Sequence, residues 1–325
     1  MTPREAFQKL AIPSTPGAFG LGAEVCPGCR IAITHEGHLA LALAVEPTGA
    51  STKRRFENLS YDPPRMLRVF SGEESREESL ATLVCRTKDV GLEDAFLRIA
   101  IALLDSPPGA LSERDLEHRL DELVSLFRAL GMPATQTIQG LWAELAVVLW
   151  SADVGAALAA WHSSPRALHD FASGADRLEV KSCGSGLREH ALRLEQLHEA
   201  PGGRTLFASI VVTPDDEGET VSDLASRIRE RVGDAPELLR RLETIVTRSL
   251  GRDWREAAKD RFSEADARRE LGIYEANSIP TVPGPLPVEV KHVSFTVDLS
   301  TTPALTTAEA RAVSPFFAQM FAAEP

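Results

Sequence analysis

Hydrophobic residues recur along this chain with two periods, and the change from one to the other divides it. Near the N-terminus the period is two. RIAIT (30–34) alternates, HEGH (35–38) has the composition of a turn, and HLALALAV (38–45) continues as a strand, so a hairpin is expected. MLRVF (66–70) and LATLVCR (80–86) read as further strands. LEDAFLRIAIALLD (92–105) then shows helical spacing, and DSPPGALS (105–112) has the makings of a linker, with Pro108 or Ser112 near a helix start. SERDLEHRLDELVSLFRALG (112–131) reads as a helix ending at Gly131. TIQGLWAELAVVLW (137–150) repeats Ile138, Leu141, Trp142, Leu145, Val148 and Leu149 at helical spacing. TLFASIVVTP (205–214) follows a Pro-Gly-Gly turn and reads as a buried strand. Helices are expected over 220–232, 235–250 and 252–271, and EVKHVSFTVDLS (289–300) returns as a strand. The pattern predicts an α/β protein. A mainly β N-terminal domain, residues 1–108, would be closed by a helix, and residues 109–325 would fold as a mixed central sheet flanked by helices.

The chemistry concentrates in residues 168–197. HDF (169–171) and RLEVKS (177–182) are short extended segments joined by Ala172-Ser173-Gly174-Ala175-Asp176, which predicts a hairpin. On the second strand Leu178, Val180 and Ser182 point one way, leaving Glu179 and Lys181 on the other face. Asp170, on the partner strand, can sit beside Glu179. Two carboxylates and an ammonium would converge there, the set that a metal-dependent phosphodiesterase needs. Asp170 and Glu179, with the Val180 carbonyl, would hold Mg²⁺, which takes oxygen ligands and keeps several waters; Mn²⁺ could substitute. Lys181 would orient or deprotonate the attacking water. Gln196, soon after the strand, could position a water or a strand phosphate. Glu144 falls on or beside the apolar stripe of 137–150, where a carboxylate is costly unless paired or metal-bound.

Each of these has a plainer alternative. Glu179 and Lys181 could be a cross-strand surface pair, and Glu144 a rim residue reaching solvent. A second triplet, Glu289-Val290-Lys291, has no Asp in the preceding twenty residues and reads as an exposed strand face. Cys26 and Cys29 with His35 and His38 are spaced more tightly than the usual zinc fingers, so an incidental loop is the simpler reading beside a zinc site. His169 reads as structural or as a donor behind the site, and His190 could contact a phosphate.

Residues 137–300 resemble a bacterial family of PD-(D/E)xK proteins of unknown function. The resemblance rests on GLWAEL (140–145), HDF (169–171), LEVKS (178–182), REH (188–190), RLEQL (193–197) and IPTVPGPLPVEVKHVSFTVDLS (279–300), in that order. Ala143 and Arg193 depart from a glycine and a serine of the family pattern. Membership would imply a restriction-endonuclease-like core, DNA as substrate, and a role in defence against foreign DNA. The catalytic set would then be Glu144, Asp170, Glu179, Lys181 and Gln196.

The formal net charge of −12 argues against sequence-blind DNA binding by the whole surface. Basic segments at 53–55, 227–231, 238–242 and 247–255 are mostly mixed with acids and read as solvated helix faces. DNA affinity could come from other defence-system proteins, and the protein could oligomerise. No signal pattern and no long apolar run occurs, which gives a cytoplasmic expectation. Nucleophile-elbow, Walker A and dinucleotide-binding motifs are absent from the sequence. Two functions remain: a Mg²⁺-dependent DNA endonuclease, and a catalytically silent or auxiliary scaffold of a defence complex that keeps the fold.

Overall fold

A computed structural model describes residues 2–45, 52–72, 74–105, 113–162, 167–184, 186–284, 287 and 289–323. The chain forms two compact units, Met1–Gly131 and Met132–Pro325.

The first unit is mainly β, and its inner strand Leu39–Leu43 is buried along its whole length. After α1 (Pro3–Gln8) come β1 (Phe19–Cys26), β2 (Cys29–Thr34), β3 (Leu39–Leu43), β4 (Arg54–Arg55), β5 (Leu59–Ser71) and β6 (Glu74–Cys85). Among the described residues they pair in the order β1-β2-β3-β6-β5-β4, and β1 also pairs with β5 in parallel. The sheet therefore closes on itself through the two residue pairs of β1 and β5, with β4 as a short strand at the edge of β5. Phe19, Leu21, Ala32, Ala40, Ala42, Leu67, Val69 and Leu80 fill one core of this unit. Helix α2 (Val90–Leu104) starts at Asp89, whose carboxylate accepts the Leu92 amide at 3.0 Å.

Helix α3 (Glu113–Ala129) belongs to this first unit rather than opening the second. Its Arg119 donates to the Leu103 carbonyl, and its Phe127 meets Phe96 of α2 edge to face, with ring centroids 6.3 Å apart. The linker expected at 105–112, with its boundary after 108, lies outside the described residues from 106 onward. The two units instead divide after Gly131, because the apolar stripe of α3 is buried against α2.

The second unit begins with α4 (Ile138–Trp150) and α5 (Val154–Ala160). The hairpin β7 (Phe171–Ser173) and β8 (Asp176–Cys183) follows, then β9 (Glu189–Arg193), β10 (Thr205–Val211) and β11 (Pro214–Glu219). Helices α6 (Val221–Val232), α7 (Pro236–Leu250) and α8 (Glu264–Arg269), strands β12 (Gly272–Glu275) and β13 (Ser294–Asp298), and helices α9 (Thr307–Val313) and α10 (Pro315–Met320) complete it. The central sheet runs β12-β10-β8-β7 and is mixed: β8 and β10 are parallel, and the outer strands antiparallel.

Its pleat sorts the side chains. Leu178 and Val180 of β8 and Leu206, Ala208 and Ile210 of β10 enter the main core with α4, α6 and α7. On the other face Glu179 lies opposite Phe207, and Lys181 opposite Ser209. That face is covered by the β9–β13 ribbon, through Leu192 and Val297, where a second helical layer was expected. Two further expectations fail locally. Residues 252–271 do not form one helix: a 3-10 turn over Gly251–Arg255 gives way to Phe262, which bridges to Pro214 and Glu219, and Ser263 then caps α8. Glu289, Val290 and Lys291 lie outside β13, which starts at Ser294.

Candidate active site

The β7–β8 hairpin closes through Gly174, whose φ of +56° suits a residue without Cβ. It pairs Phe171 with Leu178 and leaves Asp170 one residue before β7. Beyond that pairing, the Val180 amide donates to Asp170 Oδ2 at 2.7 Å. The N–H and C=O of a strand residue point to the same side, so the Val180 carbonyl is directed towards Asp170 as well.

Glu179 is 3% exposed. Its Oε1 accepts from Gln196 Nε2 at 2.6 Å and lies 2.8 Å from Lys181 Nζ. Its Oε2 is buried and has no hydrogen-bond partner. Gln196, at the 3-10 turn Leu194–Leu197, also donates to the Leu168 carbonyl and accepts the Arg193 amide. Both ends of its amide are engaged within the protein, so it holds Glu179 rather than reaching for a phosphate. His169 is buried with Nε2 on the Gln196 carbonyl at 3.0 Å, the structural role.

Glu144 is buried on α4 and does not reach solvent as a rim residue would. The Trp161 indole donates to its Oε2 at 2.6 Å. Trp161 also stacks on Phe171, with centroids 6.1 Å apart, and the His162 amide donates to the Asp170 carbonyl. One residue thus ties Glu144 and the strand bearing Asp170 together. In turn Arg241 of α7 donates to the Trp161 carbonyl through Nε at 2.9 Å.

The same residues feel one another's charges. Burial raises the Glu144 carboxyl to about 7, helped by the charge of Glu179 and opposed by the Trp161 bond and Lys181. Burial pushes Asp170 well above the usual carboxylate range, and the charges of Glu144 and Glu179 add to it. The three carboxylates and Lys181 therefore act on one another.

A family model described as "Putative PD-(D/E)XK family member (DUF4420)" matches residues 6–300. The chain belongs to this family. No curated protein and no solved structure matches it. The match reaches across both compact units. Among the described residues no helix is long and apolar enough to cross a membrane.

Within this PD-(D/E)XK family member, the structure brings Glu144, Asp170, Glu179, Lys181 and Gln196 together around one hairpin. It does not bring His190 to a phosphate site. That ring is buried, its Nε2 lies 2.7 Å from Ser209 Oγ, and burial with Lys181 and Arg188 nearby lowers it to about 4, so it is neutral at pH 7. Nor do Cys26, Cys29, His35 and His38 form a metal centre. The cysteines face each other across the Pro27-Gly28 turn, and His35 Nδ1 is engaged with the Pro13 carbonyl. The sequence did not point to Trp161, Gln136, Arg241 or Arg248. Arg241 and Arg248, read as solvated, are seven apart on α7, a spacing that puts both on one helix face.

Proposed function

We propose that this chain hydrolyses DNA phosphodiester bonds with the help of a divalent ion, on a restriction-endonuclease-like core. The observation that carries the reading is Glu179 Oε2, buried without a partner next to Lys181 and the Asp170 strand. A buried carboxylate oxygen left unpaired is expensive, and a cation would satisfy it. The donor set is all oxygen: Asp170, Glu179 and the Val180 carbonyl, with Glu144 direct or through water. Such donors suit Mg²⁺, and Mn²⁺ in its place. Among the described residues no three His, Cys, Asp or Glu side chains enclose an ion. Mg²⁺ needs no such cage, since it takes one or two carboxylates and keeps waters.

When bound, the ion would polarise the phosphate and activate a water. The chain's own residues do the rest. Gln196 fixes Glu179, and Trp161 fixes Glu144. Lys181, with 23% of its side chain exposed, can turn from Glu179 towards substrate, where its ammonium orients the attacking water, can donate a proton and offsets developing charge. The acidic surface fits DNA affinity shared with other proteins of a defence system. Incubation with plasmid DNA and Mg²⁺ tests the reading. Cutting that EDTA stops and that Asp170→Ala abolishes is expected; undiminished cutting by Asp170→Ala would refute the assignment.

One observation favours the scaffold reading. Lys181 and Glu179 already neutralise each other at 2.8 Å, as a purely structural pair would. In that case a Glu179→Ala form, assembled with its partners, would leave their activity unchanged.

A further inference from the structure

Beside the carboxylates lies a cavity of about 120 Å³, which has room for a few waters or one phosphate group. Glu144 and Asp170 line one part of it, and Gln136, His162 and Arg248 another. A larger cavity, about 280 Å³, sits beside Trp150 and Phe321 and contains none of the site residues.

The smaller cavity is built rather than incidental. The segment before α4 is tied to the end of α7: the Arg252 amide donates to the Met132 carbonyl at 2.8 Å, and the Thr135 amide to the Ser249 carbonyl at 3.1 Å. Gly251 makes this possible. Its φ is +47°, and a Cβ there would come within 2.5 Å of the Met132 carbonyl oxygen. The junction sets Gln136 and Arg248 on one cavity wall. Ile245, one turn before Arg248, lines the same wall, and Arg241, two turns before it, is anchored on the Trp161 carbonyl.

Two side chains in this wall still have protons to donate. Gln136 Nε2 is buried beside Glu144 and helps hold that carboxyl's charged form, and since an amide nitrogen carries two protons, one remains for a second acceptor. Among the described residues Arg248 has no ion-pair or hydrogen-bond partner. A guanidinium that faces a cavity without a partner, next to an amide with a second proton to give, is a donor set for an anion. The Glu144 and Asp170 side would repel a lone anion, so Arg248 supplies the attraction that side withholds. The anion that fits is a phosphate belonging to a polymer whose neighbouring phosphate is at the carboxylates.

We propose that Arg248 and Gln136 form a subsite for a backbone phosphate of the substrate strand, flanking the bond to be cut. The subsite rests on the nuclease reading and adds to it which residues set the position of the strand. Phosphate contacts fix register without reading sequence.

The test is equilibrium binding of the full chain to a short DNA duplex in metal-free buffer at several salt concentrations, with a parallel cleavage assay in Mg²⁺. Thermal unfolding confirms that each variant is folded. Arg248→Ala should weaken binding roughly 10- to 100-fold, the value of a hydrogen bond to a charged group. It should also flatten the log–log salt slope by about 0.9, one phosphate's worth. Arg248→Lys keeps the charge, so it should keep the slope while losing part of the affinity. Gln136→Ala should lower affinity and leave the slope unchanged, because the amide is neutral. A purely structural Arg248 would not divide the variants in this way. Wild type that binds and cuts, with Arg248→Ala equal to it in affinity and slope, would overturn the subsite alone. Wild type that neither binds nor cuts DNA would overturn the nuclease reading and the subsite with it.

Discussion

The chain contains Glu-Val-Lys twice, and the two copies have different surroundings. Glu179-Val180-Lys181 lies in a strand that pairs in parallel with β10, its Val in the core and its Glu 3% exposed and held by Gln196. Glu289-Val290-Lys291 lies outside any strand, its Val is 45% exposed, and among the described residues its charged side chains have no partner. A triplet becomes a candidate site when a flanking strand end brings Asp170 to the next amide and a helix brings Glu144 behind it. The letters alone do not do this.

Variants at matched positions can break the comparison. The largest contrast is expected at the lysines. Lys181→Ala should cut cleavage by roughly 10²–10⁴-fold, the range for a lost acid–base group, while metal binding is largely retained because an ammonium is not a ligand. Lys291→Ala should leave the cleavage rate unchanged. Equal losses in a cleavage assay would erase the distinction.

The pH dependence of stability sharpens it. A buried carboxyl whose folded pKa is raised binds its proton more tightly in the folded protein. Its contribution is fully present below the unfolded pKa and is lost as pH rises through the folded value. For Glu144, ordinarily near 4.5 and raised to about 7, the window is pH 4.5 to 7. The melting temperature of metal-free wild type, measured against Glu144→Gln, should fall across that window. Asp170 is shifted in the same direction and would add to the trend in both, less in the variant, which lacks the Glu144 charge that helps raise it. A constant difference between wild type and Glu144→Gln would mean that Glu144 is not buried as described.

Gln196→Ala should cost about 1–3 kcal/mol, since it leaves Glu179 Oε1 and the Leu168 carbonyl short of a donor. Glu289→Ala, an exposed substitution, should fall within about 0.5 kcal/mol. Denaturant titration resolves both, and a Gln196→Ala variant as stable as Glu289→Ala would remove the buried network from the account.

Much of this was legible in the sequence, for reasons that differ by element. The sequence pattern revealed β2, β3 and parts of β5 and β6, but not β1 or β4, nor that β1 would pair with β5, because closure depends on contacts across fifty residues. Helical spacing revealed α4 and placed Glu144 at the edge of its stripe. The β7–β8 hairpin followed from its turn residues and the two-residue period. The site's supports were not legible. Trp161 follows a short apolar helix and carries no motif of its own, and its bond to Glu144 spans seventeen positions. Residues 252–271 misled because their helical composition is interrupted by Phe262, whose pairing with Pro214 and Glu219 is a tertiary fact. Arg248 was hidden by its neighbours: a mixed charged segment looks solvated until the fold shows which face it turns to the cavity.

The central claim is that the unpartnered oxygen of Glu179 is there for a cation. Calorimetric titration of metal-free protein with Mn²⁺, on wild type, Glu179→Ala and Glu289→Ala, tests it most directly. Wild type and Glu289→Ala should bind one ion alike, and Glu179→Ala should bind none. Binding retained by Glu179→Ala, or absent from wild type, would contradict the account.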